Sequence, residues 1–308
     1  MKTTLLITLI MSIQAMAQSD YKQMRLFRFG NTGSEKPGIV TASGKKLDVS
    51  GFKEDYNEAF FANNGLERLE KWLASNGTSC PEVGANVRIA SCVARPSKIV
   101  AIGLNYANHI KEAGAVTPKE PVIFMKASSS LSGPNDNVML PKNSTKVDWE
   151  CELAIIIGKR ASYVTEQEAG DFIAGYTIIN DYSERAFQLE GTGQWTKGKS
   201  SDTFAPVGPY LVRPADVGDP QNLKLWLKVN GEIMQQSNTS DMIFKAHFIV
   251  SYVSQYMTLL PGDVIATGTP EGVGLGRKPP VFLKPGDVVE LGIEKLGEQK
   301  QVAVPYKK

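Results

Sequence analysis

A chain of 308 residues, 42% hydrophobic and 21% charged, has the composition of an ordinary globular protein and is long enough to bury a substantial core. Its formal net charge is only +2, and no basic run is interleaved with aromatics, so the electrostatic footprint of a nucleic-acid binder is missing. The length suits one large domain or two of unequal size.

The first residues read as a targeting segment. Met1 and Lys2 give a short positive start, Leu5 to Ile13 is mostly apolar, and Ala15-Met16-Ala17 has small residues at signal-peptidase spacing. The apolar run is shorter than the roughly 20 residues of a comfortable membrane span, and no Cys stands at the cleavage site for lipid attachment. Residues 1–17 are therefore expected to be a signal peptide. The mature protein is expected to be exported, periplasmic or secreted, with no membrane attachment after cleavage.

Residues 18–94 read as a small N-terminal α/β domain. Arg25-Leu26-Phe27-Arg28-Phe29 alternates charged and apolar side chains as a half-exposed strand does, and Gly38-Ile39-Val40 and Lys46 to Val49 look like further short strands. Asn57 to Ser75 is predicted to be one helix, with Phe60, Leu66, Leu69 and Leu73 at helical spacing. The turn-rich loop from Asn76 to Ala94 holds Cys80 and Cys92. In an oxidising compartment a disulfide between them and two free thiols are equally compatible with the sequence. The third cysteine, Cys151, reads as a small core residue.

Residues 95–308 form the larger unit. Strands are expected at Lys98 to Ile102, Val122 to Lys126, Glu152 to Gly158, Ala174 to Asn180, Leu223 to Val229, Asp263 to Thr267 and Val288 to Ile293. Helices are fewer, at Tyr106 to Ala113, Glu166 to Phe172, Ser183 to Leu189 and Asp241 to Met257. Strands in excess, without regular alternation with helices, argue against a doubly wound parallel sheet and for a mostly β (α+β) domain with peripheral helices.

The strongest chemical signal is Asp148-Trp149-Glu150-Cys151-Glu152, which runs into the apolar stretch Leu153 to Ile157. Residues i and i+2 of a strand face the same way, so Glu150 and Glu152 put two carboxylates side by side at the start of a buried strand. Paired buried carboxylates are costly without a cation, and oxygen-only ligands suit a hard divalent ion; the alternative is that both side chains are solvated. Asp181, at the end of Gly175 to Asn180, taken alone reads as a cap for the segment Tyr182 to Arg185. Of the two histidines, His109 precedes Glu112 by three residues and shares a helix face with it. Such a pair is ordinarily a surface salt bridge, but a carboxylate beside an imidazole also makes a general base. His247, among Ile243, Phe244, Ile249 and Val250, reads as a structural helix residue.

Taken together, the segments from about Lys98 onward resemble the fumarylacetoacetate hydrolase family. Gly103 to His109, Asp148 to Leu153, Asn180 to Arg185, Lys197 to Lys199 with Asp202 to Pro209, and Thr267 to Gly274 match that family's motifs in order. The resemblance implies a rolled β-sheet catalytic domain with Mg²⁺ or Mn²⁺ at one end, held by Glu150, Glu152 and Asp181, with Ca²⁺ admissible on the same ligand chemistry. It implies His109 and Glu112 as a base on a mobile lid, Lys199 as an oxyanion or carboxylate binder, and Arg185 and Gln188 as substrate contacts. Thr269 lies on a loop able to touch substrate, and Lys126 either adds charge there or is a strand-end surface lysine. Longer members use a further Asp where Asn105 falls here, so water or substrate oxygens would complete the shell.

The activity implied is hydrolysis of a C–C bond in an acylpyruvate-type 2,4-dioxo acid, giving a 2-oxo acid and a second acid, by a homodimer. Lyase (including ureidoglycolate lyase), decarboxylase, hydratase and isomerase chemistry on related 2-oxo acids are the alternatives. A non-catalytic metal or solute binder would have no need of His109, Glu112 and Lys199. The signal peptide departs from the family's usual cytoplasmic character. N-terminal sequencing of the exported protein is expected to begin near Gln18; intact Met1 in the cytosolic fraction would contradict export.

Overall fold

A computed structural model describes residues 20–307; the expected signal peptide lies outside them. Among the described residues strands dominate, in a mixed α+β arrangement of open sheets, none closed into a barrel. The largest sheet runs from Lys46–Asp48 through Lys36–Val40, Arg25–Phe29, Ala205–Val212, Ile173–Asn180, Cys151–Ile157, Val264–Ala266 and Ile99–Gly103 to Val122–Lys126. A five-stranded sheet runs from Glu232–Asn238 through Lys224–Val229, Val288–Ile293 and Gly297–Pro305 to Val138–Leu140. Most pairings are antiparallel, but Val264–Ala266 lies parallel to Ile99–Gly103.

Cys151–Ile157 shows why its sequence carries no alternation. It sits in mid-sheet between Ile173–Asn180 and Val264–Ala266, and every residue in it is buried. Cys151, Leu153, Ile155 and Ile157 pack into one core, shared with the five-stranded sheet and the helix Ala246–Tyr256. Ala154 and Ile156 pack into a second core on the opposite face. A strand buried on both faces reads as a continuous apolar run. Glu150 and Glu152, four and two residues before Ala154, belong to that second face by the pleat.

The second core also contains Met24, Leu26, Phe60, Leu69 and Leu73, together with Ile99 and Val264. Leu26 pairs with Leu211, so the leading strands extend the large sheet across the boundary near residue 94. Among the described residues no helix is long and apolar enough to cross a membrane.

Several helices are shorter than their periodicity predicts. Asn57 to Ser75 splits into Glu58–Ala62 and Gly65–Asn76, because Asn64 takes a left-handed conformation (φ 54°). Asn tolerates that region better than most residues. A Cβ on the following Gly65 would lie 2.4 Å from Phe60, so glycine is needed where the helices meet. Glu166 to Phe172 contracts to a 3₁₀ turn, Ala169–Phe172. Ser183–Glu184 pairs with Val147–Asp148, and the helix Arg185–Leu189 begins only after the Glu184 side chain accepts the Phe187 N–H. Asp241 to Met257 becomes a 3₁₀ turn, Thr239–Asp241, and the helix Ala246–Tyr256. All three cysteines are free thiols. Cys92 is buried against the Thr177 hydroxyl, and burial pushes its pKa up to about 12.

Candidate functional site

The acidic residues meet where strands of the large sheet end. Asn180 accepts the Glu150 N–H through its side chain, and the Asp181 N–H donates to the Glu150 carbonyl, which fixes the two chain segments against each other. Carboxylate oxygens of Glu150, Glu152 and Asp181 all lie within 4.8 Å of one another, and all three residues are buried.

Three buried cations answer this charge. Lys199 Nζ lies 2.5 Å from Glu150 Oε2 and 2.8 Å from Asp181 Oδ2. Lys126 Nζ lies 2.5 Å from Asp181 Oδ1 and donates to the Tyr182 carbonyl. Arg185 Nη2 reaches Glu150 Oε1 at 2.7 Å and Asp148 Oδ2 at 2.8 Å. Burial alone would raise the Glu150 pKa, but Lys199 and Arg185 outweigh it and hold the carboxyl at about 2. Burial likewise opposes charge on Lys199, yet Asp181 and Glu150 raise its pKa, whereas for Lys126 burial prevails and lowers it.

Glu152 is the exception. Among the described residues its one hydrogen-bond partner is the Gly268 N–H, 2.7 Å from Oε2, and no side-chain cation pairs with it. Burial, with Asp181 and Glu150 close by, raises its pKa well above the ordinary carboxylate range. Counting Asp148, four carboxylates face three cations, so full ionisation would leave one negative charge in excess, and burial together with that excess disfavours the charged form of Glu152. A hard divalent ion held by oxygen donors would remove that excess, so the residues fit Mg²⁺ or Mn²⁺.

Glu150 and Glu152 open onto a cavity of about 540 Å³. His109, Glu112, Arg185, Gln188, Lys199 and Thr269 line it too, so the chain folds most of the sequence-predicted site around one space. Asp181 and Lys126 stand behind this lining. Lys126 is neither a surface lysine nor on the cavity wall: at 1% exposure it is buried against Asp181. Apolar walls come from Ile102, Phe124, Trp195, Val273 and Leu275.

The polar groups on the wall are held in place. His109, on the helix Ala107–Glu112, has Nδ1 3.0 Å from Glu112 Oε2, while Glu112 Oε1 accepts the Gly272 N–H at 2.9 Å. Arg185 donates to Gln188 Oε1. The Thr269 hydroxyl donates to the Cys151 carbonyl and accepts from Gln235, so it is already engaged within the protein. Asn105 spends its amide on the backbone of Phe244 and Thr267 and supplies no further ligand. His247 is exposed on the helix Ala246–Tyr256, not enclosed by its apolar neighbours, because they turn to the core.

Sequence reasoning gave no role to Asp148, although it opens the paired-glutamate motif. Fully buried, it accepts from Arg185 and from the N–H groups of Gly274 and Leu275. Arg277 and Lys278, also on the cavity, were missed, since a Gly- and Pro-rich loop has no periodicity to place its side chains.

A Burkholderia cenocepacia protein with a provisional hydrolase name is 50% identical over 279 residues, 90% of this chain and 98% of that protein. The solved 5-carboxymethyl-2-hydroxymuconate delta-isomerase of Mycobacterium smegmatis is 34% identical with a TM-score of 0.71, over 92% of this chain and all of that one. Maleylpyruvate hydrolase of Sphingobium sp. SYK-6, solved with manganese(II) and pyruvate, is 30% identical with a TM-score of 0.76 over the same shares. With residues 98–304 matching the C-terminal domain of fumarylacetoacetate hydrolase, and 50% identity over 279 residues to a relative covered to 98%, the chain belongs to the fumarylacetoacetate hydrolase family.

Proposed function

We propose that the protein is a divalent-metal-dependent hydrolase that cleaves the C–C bond of an acylpyruvate-type 2,4-dioxo acid, yielding a 2-oxo acid and a second acid. The observation that carries this reading is the uncompensated Glu152 carboxylate, grouped with Glu150 and Asp181 and opening onto the cavity that holds a His–Glu pair. The maleylpyruvate hydrolase relative, solved with manganese(II) and pyruvate, supports the choice of ion and of a 2-oxo acid. Export is supported by the pattern of residues 1–17, and a homodimer by the family.

Glu150, Glu152 and Asp181 would hold Mg²⁺ or Mn²⁺. When bound, the ion supplies Lewis acidity toward the oxygens of a 2-oxo acid and toward the enolate that C–C cleavage releases. The remaining work falls to side chains. Glu112, fixed by the Gly272 N–H, keeps the Nδ1 side of His109 occupied and leaves Nε2 to take a proton from water. The hydroxide adds to the C4 carbonyl, the C3–C4 bond breaks, and C3 later takes a proton, so one water is consumed. Lys199 and Arg185 offer fixed donors to the substrate carboxylate or to the oxyanion at C4. Gln188, bonded to Arg185, keeps the guanidinium aligned.

Metal content decides the ligand assignment. Glu150→Ala, Glu152→Ala and Asp181→Ala are each expected to lose bound metal and activity while circular dichroism stays native. Full metal occupancy in all three, by mass spectrometry, would sink the assignment.

The base assignment makes a separate prediction. His109→Ala should keep its metal but slow turnover of an acylpyruvate about 10²–10⁴-fold, the usual worth of a positioned acid–base group. Glu112→Gln should cost less, because the imidazole remains. Gly276→Ala should resemble it: a Cβ there would lie 2.3 Å from the Glu112 carboxyl carbon and push that side chain off His109. A wild-type rate for His109→Ala would rule out this hydrolytic mechanism.

A further inference from the structure

The strands that carry the acidic cluster run out of partners where the cluster begins. Val264–Ala266 pairs only with Ala154, Ile155 and Ile156, so among the described residues no strand flanks Cys151 on that side. Cys151 stands between Glu150 and Glu152, and a buried backbone N–H or C=O without a partner costs as much as a lost hydrogen bond. Side chains complete the ladder instead. Gln235 Oε1 accepts the Cys151 N–H at 2.9 Å, and the Thr269 hydroxyl donates to the Cys151 carbonyl at 3.1 Å. Gln235 Nε2 donates to that same hydroxyl at 2.8 Å and to the Pro270 carbonyl at 2.9 Å.

Asp181 has a similar support. It stands between Asn180 and Tyr182, and both reach Gln301 Oε1, the Tyr182 hydroxyl at 3.0 Å and the Asn180 amide nitrogen by a longer contact of 3.5 Å. The oxygen of the Asn180 amide accepts the Glu150 N–H. Gln301 Nε2 donates to the Pro134 carbonyl and to Gln299 Oε1.

Both glutamines come from the five-stranded sheet. Gln235 is the one buried residue of its edge strand Glu232–Asn238, and Gln299, Gln301 and Ala303 are the inward positions of Gly297–Pro305. An inward position ordinarily takes an apolar side chain, and glutamine is mostly a surface residue. Here Gln235 and Gln301 are each 1% exposed, and every polar atom of their amides has a partner. Turning either amide over would set Gln235 Nε2 against the Cys151 N–H, or Gln301 Oε1 against the Pro134 carbonyl. Each amide thus has one satisfied orientation, and a fully satisfied buried network is rigid.

We infer that Gln235 and Gln301 are positioning residues for the metal centre, which set from the opposite sheet the spacing of Glu150, Glu152 and Asp181. Gln235 addresses the residue between two of the acids, and Gln301 addresses the two residues that flank the third. The inference rests on the divalent-metal reading of that cluster. It makes the five-stranded sheet, which supplies no ligand, a determinant of metal affinity.

Calorimetric titration of the full chain with Mn²⁺ tests it. Gln235→Met and Gln301→Met keep a side chain of similar size and remove the hydrogen bonds. Each should weaken Mn²⁺ binding about 10–100-fold, the usual worth of a group that orients a metal ligand. Tyr182→Phe removes only the hydroxyl that Gln301 holds and should shift affinity the same way, so the Gln301 contact is judged even if Gln301→Met does not fold. Ile293→Ala, a core truncation in the same sheet, should lower the melting temperature and leave Mn²⁺ affinity as in wild type. Wild-type affinity in the methionine variants or in Tyr182→Phe, or an equal loss in Ile293→Ala, would overturn the positioning role. Metal-free crystal structures give a separate reading. In the methionine variants the three carboxylates should spread beyond the 4.8 Å that now contains them, and unmoved carboxylates would overturn the role. Wild-type protein that takes up no Mn²⁺ would count against the metal reading alone, while the metal-free spacing still judged the two glutamines.

Discussion

A charge moved from water into a protein interior costs several kcal/mol unless it is paired, and this chain buries seven ionisable side chains together. Asp148, Arg185, Glu150, Lys199, Asp181 and Lys126 alternate in sign along a continuous chain whose contacts run from 2.5 to 2.8 Å. Each link depends on the next, because removing one partner of such a pair strands the other, at a cost of about 3–5 kcal/mol. The seventh group, Glu152, hangs off this chain with a single backbone N–H for company. The network is therefore close to self-satisfying but one positive charge short. That shortfall is what turns a structural ion cluster into a candidate metal centre.

The fold's contribution is placement. Two adjacent strands in mid-sheet, Cys151–Ile157 and Ile173–Asn180, bring Glu150 and Asp181 together by hydrogen bonds at their ends. The i, i+2 pleat sets Glu152 beside Glu150. Lys126 comes from the edge strand Val122–Lys126, and Lys199 from the short helix Trp195–Lys199 that packs near it. Asp148 then links this floor to the Gly274–Leu275 turn, so that the mouth of the cavity and its charged base share one anchor. Groups placed by sheet ends and pinned turns lose little freedom when a ligand arrives, which is the condition for strong electrostatic binding.

Much of this was legible in the sequence where the determinants are local. Val122–Lys126, Val288–Ile293 and Arg25–Phe29 have the bounds their composition predicts, because Gly, Pro and Asp turns flank short β-prone runs. The pairing of Glu150 with Glu152 comes from the pleat alone. Helix lengths were less legible: hydrophobic spacing continues across Asn63 and Asn64, where backbone conformation breaks the helix. Least legible were features fixed by distant contacts. Lys126 looks like a surface residue until Asp181, 55 positions later, is seen to bury it. Asp148 is tied to a loop 126 and 127 residues away, and nothing in its neighbourhood announces that. Asp181 by itself is a plausible cap, and only the run of family motifs marked it as part of the acidic group.

The claim on which this account turns is that the acidic cluster holds a divalent cation. Anomalous diffraction at the manganese edge, from crystals grown with Mn²⁺, tests it most directly. The account predicts one strong peak within bonding distance of carboxylate oxygens from Glu150, Glu152 and Asp181. A map with no peak there at saturating Mn²⁺, with Lys199 still bridging Glu150 and Asp181, would contradict it.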